Sequence, residues 1–389
     1  MLKVAVLFGG DSVEHEVSII SAMQAMAALN DKKYKIIPLY LAKNHKFYSA
    51  ASLKHIESYR DLDQIEKTVT QVTVVRENQK FFLKPLARFK QRTEIDLVIP
   101  VVHGTHCEDG SVAGFLETLG IPYSGCDVLG GAVGQDKVVM KQILENAKLP
   151  IVDWLWFYAY EFEKEASPWL KQIAKLGYPV VVKPANLGSS VGITLAKDEQ
   201  EVIAAIETAS QYDVKICVEK AVTNLRELNC SVLGYYEHKE ASVLEEVMKQ
   251  DTILSYDNKY KGSNKSKGMA SATRNCPAKV SDSLTKEVQG YALETFRVLG
   301  AAGVCRIDFL MDDETKKVYV NEINTIPGSL SFYLWEASGK PFPKLMDDLV
   351  DIAVRRTRQK EKMIFSYSTN ILSNYKNGGA KGSKTKTSR

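Results

Sequence analysis

VCRIDFLMDDETKKVYVNEIN, residues 304–324, reads as two strands around the turn DDETK. Period-two alternation puts Arg306 and Asp308 on one face of the first strand, and Glu322 and Asn324 on one face of the second. A hairpin turning about Thr315 sets Asp308 opposite Glu322 and Arg306 opposite Asn324. Facing carboxylates repel and destabilise a strand pair unless a cation sits between them. Three oxygen-bearing side chains suit Mg²⁺, an ion that also takes phosphate oxygens from a nucleotide. The alternative is a solvated face on which Arg306 is the counter-ion. The metal reading is preferred because Asn324 runs directly into TIPGS, a turn able to present backbone N–H groups to an anion.

Three further stretches carry chemistry. In VVVKPANLGSSVG, residues 180–192, Lys183 ends a buried strand, and the loop with Gly188, Ser189, Ser190 and Gly192 leaves its amides open to phosphate. An ordinary loop with a snorkelling lysine fits this segment equally well. In GGDSVEHEVS, residues 9–18, Asp11 and Glu14 fit a capping box at the start of a helix. A binding role for Glu14 requires it to project into a cleft. In HGTHCEDGS, residues 103–111, His103 follows the strand LVIPVV, at the carboxyl end where open α/β sheets bind ligands.

Around these stretches the chain alternates between strand and helix patterns. KVAVLF (3–8), KIIPLYL (35–41) and IDLVIPVV (95–102), with helices at 14–29 and 109–119, suggest an α/β domain on a parallel sheet over residues 1–125. Residues 126–213 form a second unit, and 214–364 a strand-rich third one with a polar loop at 250–272. A basic, solvated tail is expected at 365–389. The formal charge is +4, but residues 376–389 hold five Lys or Arg and no acid, which leaves 46 bases against 47 acids in the body. Nothing in that balance supports a nucleic-acid or membrane surface. Six dispersed cysteines without a CxxC read as free thiols in a reducing compartment. With neither a leader pattern nor an apolar run long enough to span a bilayer, a cytoplasmic protein is expected.

Read in order, FGGDSVEHEVSIISA (8–22), HGTHCEDG (103–110), LETLGIPYSG (116–125), DKVVMK (136–141), VVKPANLGSSVGI (181–193), VCRIDF (304–309), NEINTIPGS (321–329) and LWEASGKPFP (334–343) closely resemble the D-alanine–D-alanine ligase family of the ATP-grasp superfamily. The resemblance covers about residues 1–358. It implies an ATP-grasp fold preceded by a Rossmann-like N-terminal α/β domain. The implied activity is ATP-dependent joining of two D-alanines through an acyl phosphate, for peptidoglycan precursor synthesis, with two Mg²⁺ ions (or Mn²⁺) and commonly in a homodimer. By the same resemblance Lys137 and Lys183 hold the ATP phosphates, Ser190 and Lys259 belong to the ATP site, Glu219, Lys220 and Val222 receive adenine, and Glu227 meets the ribose. Asp308, Glu322 and Asn324 match metal ligands. Glu14, with Ser189 and Tyr260, matches the group that holds the first amino acid's ammonium, and His103 lines that pocket. Arg306 and the Gly328 N–H match the oxyanion-stabilising pair, and Ser329 with Leu330 the receivers of the second substrate's carboxylate.

The chain departs from the family pattern around the second substrate. After TIPG it runs SLSFYLWE, several residues shorter than is usual, and the lid reads SYDNKYKGSNKSKG. Cys107 stands where glycine is common. A relative using D-serine, D-lactate or another acceptor, and a non-catalytic nucleotide-binding protein, are the alternatives. The intact set Lys183, Asp308, Glu322 and Asn324 argues against the second.

Overall fold

The computed structural model describes residues 1–188, 191–247 and 274–366. The expected lid at 250–272, with Lys259 and Tyr260, falls outside the described residues, as do Ser189, Ser190 and residues 367–389.

Three sheets organise the chain. In the first, Leu2–Gly9 lies between Tyr34–Leu41 and Leu97–Val102, both parallel to it. LVIPVV is buried at every position, as a strand covered on both faces requires. The parallel sheet expected for residues 1–125 is present in these three strands, and Phe47–Tyr48, Gln71–Glu77, Lys80–Pro85 and Thr93–Ile95 extend it antiparallel. The connections over residues 42–46, 78–79 and 86–92 are too short for the crossovers that parallel pairing needs. Gly9 has φ +97, and a Cβ there would stand 2.2 Å from the Leu41 carbonyl oxygen, so the FGG turn is restricted to glycine. The helix His15–Ala28 follows, fixed to the sheet by Ser18, whose hydroxyl donates to the Val101 carbonyl at 2.6 Å.

A four-stranded antiparallel sheet joins Thr194–Ala196, Val180–Pro184, Lys215–Lys220 and Trp154–Tyr158 in that order. Val180, Val182, Ile216 and Val218 pack with Ile173, Val202 and Ala205 from the covering helices. Alternation turns Lys183 and Glu219 to the other face.

The third sheet orders Arg274–Asn275, Lys239–Val247, Leu225–Gly234, Gly303–Asp312 and Val318–Asn324, all antiparallel. Cys305, Ile307, Phe309 and Met311 form one face of its core with Leu228, Cys230 and Phe296. The helices Val128–Gln135 and Lys137–Asn146 contribute Val133, Met140 and Leu144 to that core. Ile19, Ala22, Val304, Leu330, Trp335 and Leu345 share another core, which joins the first domain to the C-terminal region. All six cysteines are free thiols, and no described helix is long and apolar enough to cross a membrane.

Candidate active site

A cavity of about 500 Å³ opens between the sheets. Its wall includes Glu14, His103, Lys137, Lys183, Glu219, Lys220, Val222, Glu227, Arg306, Asp308, Glu322, Asn324 and Gly328. These are the described members of the set expected from the sequence, apart from Ser329 and Leu330.

The hairpin pairs as its alternation requires, with Arg306 opposite Asn324 and Asp308 opposite Glu322. Beyond Asp308 the register slips, and Phe309 faces Val320, which leaves Asn321 as a bulged residue. A bulge re-aims the side chain it carries. Asn321 thereby reaches the cavity and accepts from Lys183 Nζ at 3.1 Å, a contact that alternation alone denies it. Arg306 forks onto Asp308 through Nε at 2.6 Å and Nη2 at 2.7 Å, and Asn324 Nδ2 donates to Asp308 at 3.1 Å. The Arg306 counter-ion and the facing carboxylates therefore coexist. Among the described residues no three His, Cys, Asp or Glu side chains gather as a metal site. The donor set is two carboxylates plus an amide oxygen, hard ligands that fit Mg²⁺ better than a softer metal.

Beside the hairpin, Lys183 Nζ donates to Glu219 Oε2 at 2.7 Å, and Lys141 Nζ pairs with Glu219 Oε1 at 3.2 Å. Burial works to raise the Glu219 pKa, but the two lysines outweigh it and hold the carboxyl down at about 2. Lys183 is likewise penalised by burial, yet its pKa is raised by Glu219. Lys141 is fully buried and was not among the expected residues. The signal for it is present in DKVVMK, because Lys137 and Lys141 stand one turn apart on the same helix face. Lys137 Nζ donates to the Leu187 carbonyl at 2.8 Å and lies 3.7 Å from Glu322. Lys220 turns its ammonium to the Gly177 and Tyr178 carbonyls at 2.8 and 3.1 Å. Its backbone is thus left as the part that edges the cavity.

Glu14 is the N-cap residue of its helix but makes no side-chain capping hydrogen bond, which removes the capping-box account. Its carboxylate lies 3.5 Å from where a Cβ on Gly188 would stand, across the cavity mouth. His103 is buried, with Nδ1 2.8 Å from the Ile326 carbonyl and Nε2 3.0 Å from Ser21 Oγ. Burial lowers its pKa, against the pull of Glu14. Glu108 accepts from the backbone N–H groups of Gly104 and Ile326, each at 2.9 Å, and so stitches the HGTHCEDG loop to the TIPGS turn. Burial, and then the neighbouring Glu14, push its pKa up to about 8.

Ser329 and Leu330, the expected carboxylate receivers, are not among the residues on the cavity wall, whereas Gly328 just before them is. The Ser329 N–H donates to Ser21 Oγ at 2.8 Å and the Leu330 N–H to the Pro327 carbonyl at 2.8 Å. Residues 329–331 all have φ near +50, and Leu330 is buried in the core. The shortened segment coils inward and consumes its own donors.

Residues 3–126 match the family model for the D-ala D-ala ligase N-terminus, and residues 143–351 that for the C-terminus. The chain is 39% identical over 374 residues to the D-alanine–D-alanine ligase of Thermosipho melanesiensis, covering 96% of this chain and 98% of that protein. To the namesake from Caldicellulosiruptor bescii it is 37% identical over 382 residues, covering 94% and 98%. Among solved structures, the D-alanine–D-alanine ligase from Coxiella burnetii superposes with a TM-score of 0.79 at 31% identity, covering 93% of this chain and 96% of that one. The VanG D-Ala:D-Ser ligase from Enterococcus faecalis gives 0.76 at 28%, covering 90% and 99%.

Proposed function

From a chain that belongs to the D-alanine–D-alanine ligase family and has its ATP-grasp fold, we propose an ATP-dependent, ADP-forming enzyme that joins two D-alanines through an acyl phosphate. In this reading the dipeptide supplies peptidoglycan precursors, and the enzyme is a cytoplasmic homodimer. One observation carries it: a single cavity brings Lys137 and Lys183 together with the facing pair Asp308 and Glu322, Lys137 Nζ lying 3.7 Å from Glu322.

ATP binds with its adenine against the backbone of Lys220 and Val222, its ribose by Glu227, and its phosphates by Lys137 and Lys183. The Glu219 carboxylate and the Asn321 amide hold the Lys183 ammonium in place, so little reorganisation accompanies phosphate binding. Asp308, Glu322 and Asn324 would hold Mg²⁺ or Mn²⁺, which supplies charge neutralisation at the phosphates when bound. Glu14 holds the first D-alanine's ammonium, and His103, locked between Ser21 and Ile326, shapes that pocket. The first carboxylate attacks the γ-phosphorus and ADP leaves, with the lysines offsetting charge on the transferring oxygens. The neutral amine of the second D-alanine then attacks the acyl carbon. Arg306 and the Gly328 N–H stabilise the oxyanion before inorganic phosphate departs. The fork onto Asp308 fixes the Arg306 plane, which is the preorganisation this step needs.

Incubation with ATP, Mg²⁺, D-alanine and a panel of D-amino and D-hydroxy acids tests the reading. Phosphate release with D-alanyl-D-alanine as the main product is expected. Faster release with another acceptor would overturn the acceptor assignment, and no release with any pair would overturn the ligase reading.

A further inference from the structure

Ser329 and Leu330, the receivers that the family resemblance implies for the second substrate's carboxylate, are uncharged, and a cation on the cavity wall can serve beside them. Resting on the ligase reading, we propose that Arg274 binds that carboxylate and selects acceptors that carry one.

A carboxylate leaving water for a closed cavity requires a cation or several N–H donors. Among the described residues, the cations on the wall are Lys137, Lys183, Lys220, Arg274 and Arg306. The first two belong to the phosphate end, Lys220 is spent on two carbonyls, and Arg306 is forked onto Asp308. Arg274 is the one left over.

The sheet delivers it to the right face. Glu322, Asp308, Asn229 and Glu245 stand in one row across four strands. Arg274 pairs with Val247, two residues beyond Glu245, so alternation gives it the same face. Its side chain returns toward the row: Nη1 lies 3.3 Å from Glu245 Oε2, and the guanidinium sits 5.2 Å from the Tyr333 ring centroid. Tyr333 O–H donates to Glu245 at 2.7 Å, and Asn229 Nδ2 donates to the same oxygen at 2.8 Å. The fully buried Glu245 is therefore an anchor. It is satisfied by three neighbours and fixes the plane of Arg274 against an aromatic face.

The contact with Glu245 uses one nitrogen, whereas Arg306 uses two on its own partner. The Arg274 Nε is buried and has no hydrogen-bond partner among the described residues. A buried donor without an acceptor is costly, and a planar carboxylate is the ligand that satisfies a guanidinium edge. Tyr333 lies on the helix Phe332–Ala337, which begins just past the Gly328 turn where the acceptor amine must arrive.

The experiment compares D-alanine with D-alaninamide as acceptor for the intact protein, with D-alanine supplied as donor. The amide has no carboxylate, so it can enter only as the amine. Wild type is expected to use the amide about 100-fold less efficiently than D-alanine. In Arg274→Met the acceptor KM for D-alanine rises about 100-fold, the preference over the amide collapses, and the requirements for donor and ATP change little. Arg274→Lys recovers part of the preference. A wild type that accepts acid and amide equally overturns the proposal without any variant. So does an Arg274→Met protein that keeps the preference, or one whose ATP requirement rises instead. A wild type that forms no dipeptide fails the ligase reading itself.

Discussion

The two ends of the cavity are built in opposite ways. At the proposed phosphate end, sequence motifs and buried charge coincide: Glu219 is clasped by Lys141 and Lys183, and each ion is held by a partner from a different element. At the proposed acceptor end the motif TIPGS is present, but from its last residue the chain turns inward through three successive left-handed positions, Ser329 to Ser331, and the Ser329 and Leu330 N–H groups are used internally. The contrast teaches that charge chemistry is inherited through residue identity, while a binding turn depends on loop length, which residue identity does not record.

The sharpest way to break the comparison is Glu322→Gln at the phosphate end. Removing one of the facing carboxylates is expected to lower phosphate release by about 100-fold or more while the thermal transition stays in place. Unchanged release would detach the hairpin from the chemistry. Next comes Glu219→Gln, which leaves two buried lysines without their shared anion and is expected to cost about 3–5 kcal/mol in denaturant unfolding. The sign with pH follows from the depressed pKa. The Glu219 contribution is complete above the ordinary value of 4.5 and is lost as pH falls toward about 2. Wild type and variant should therefore converge in stability on acidification, and a constant gap would refute the ion-pair account. Smallest is Ser329→Gly. Relief of a left-handed serine and the added freedom of the unfolded chain nearly cancel, so stability should move by less than about 1 kcal/mol. The acceptor KM should not move, and a large rise would return Ser329 to the binding site.

Much of the phosphate end was legible because alternation is a local property. The facing of Asp308 and Glu322 and the inward aim of Lys183 follow from strand period alone. Asn321 was not legible, because a bulge flips a side chain without any mark in composition. Lys141 was legible but overlooked, its helical spacing from Lys137 being the clue. Arg274 was hidden for another reason. Its proposed role comes from pairing across an edge strand with a residue 27 positions away, and from contact with an aromatic ring 59 positions further along the chain. The antiparallel extension of the first sheet was missed because short apolar runs between polar loops give weak signals for strand direction.

The Ser21 hydroxyl has a consequence for how the two amino acids meet. It stands two turns along the helix that Glu14 opens, and it touches both the His103 imidazole and the Ser329 amide. Side chains from that helix and from the coiled turn also share a core. In the proposed reaction, the holder of the electrophile's amino group and the turn that greets the nucleophile are thus gauged against a common post, and the reach between the reacting atoms is set by an oxygen that meets neither.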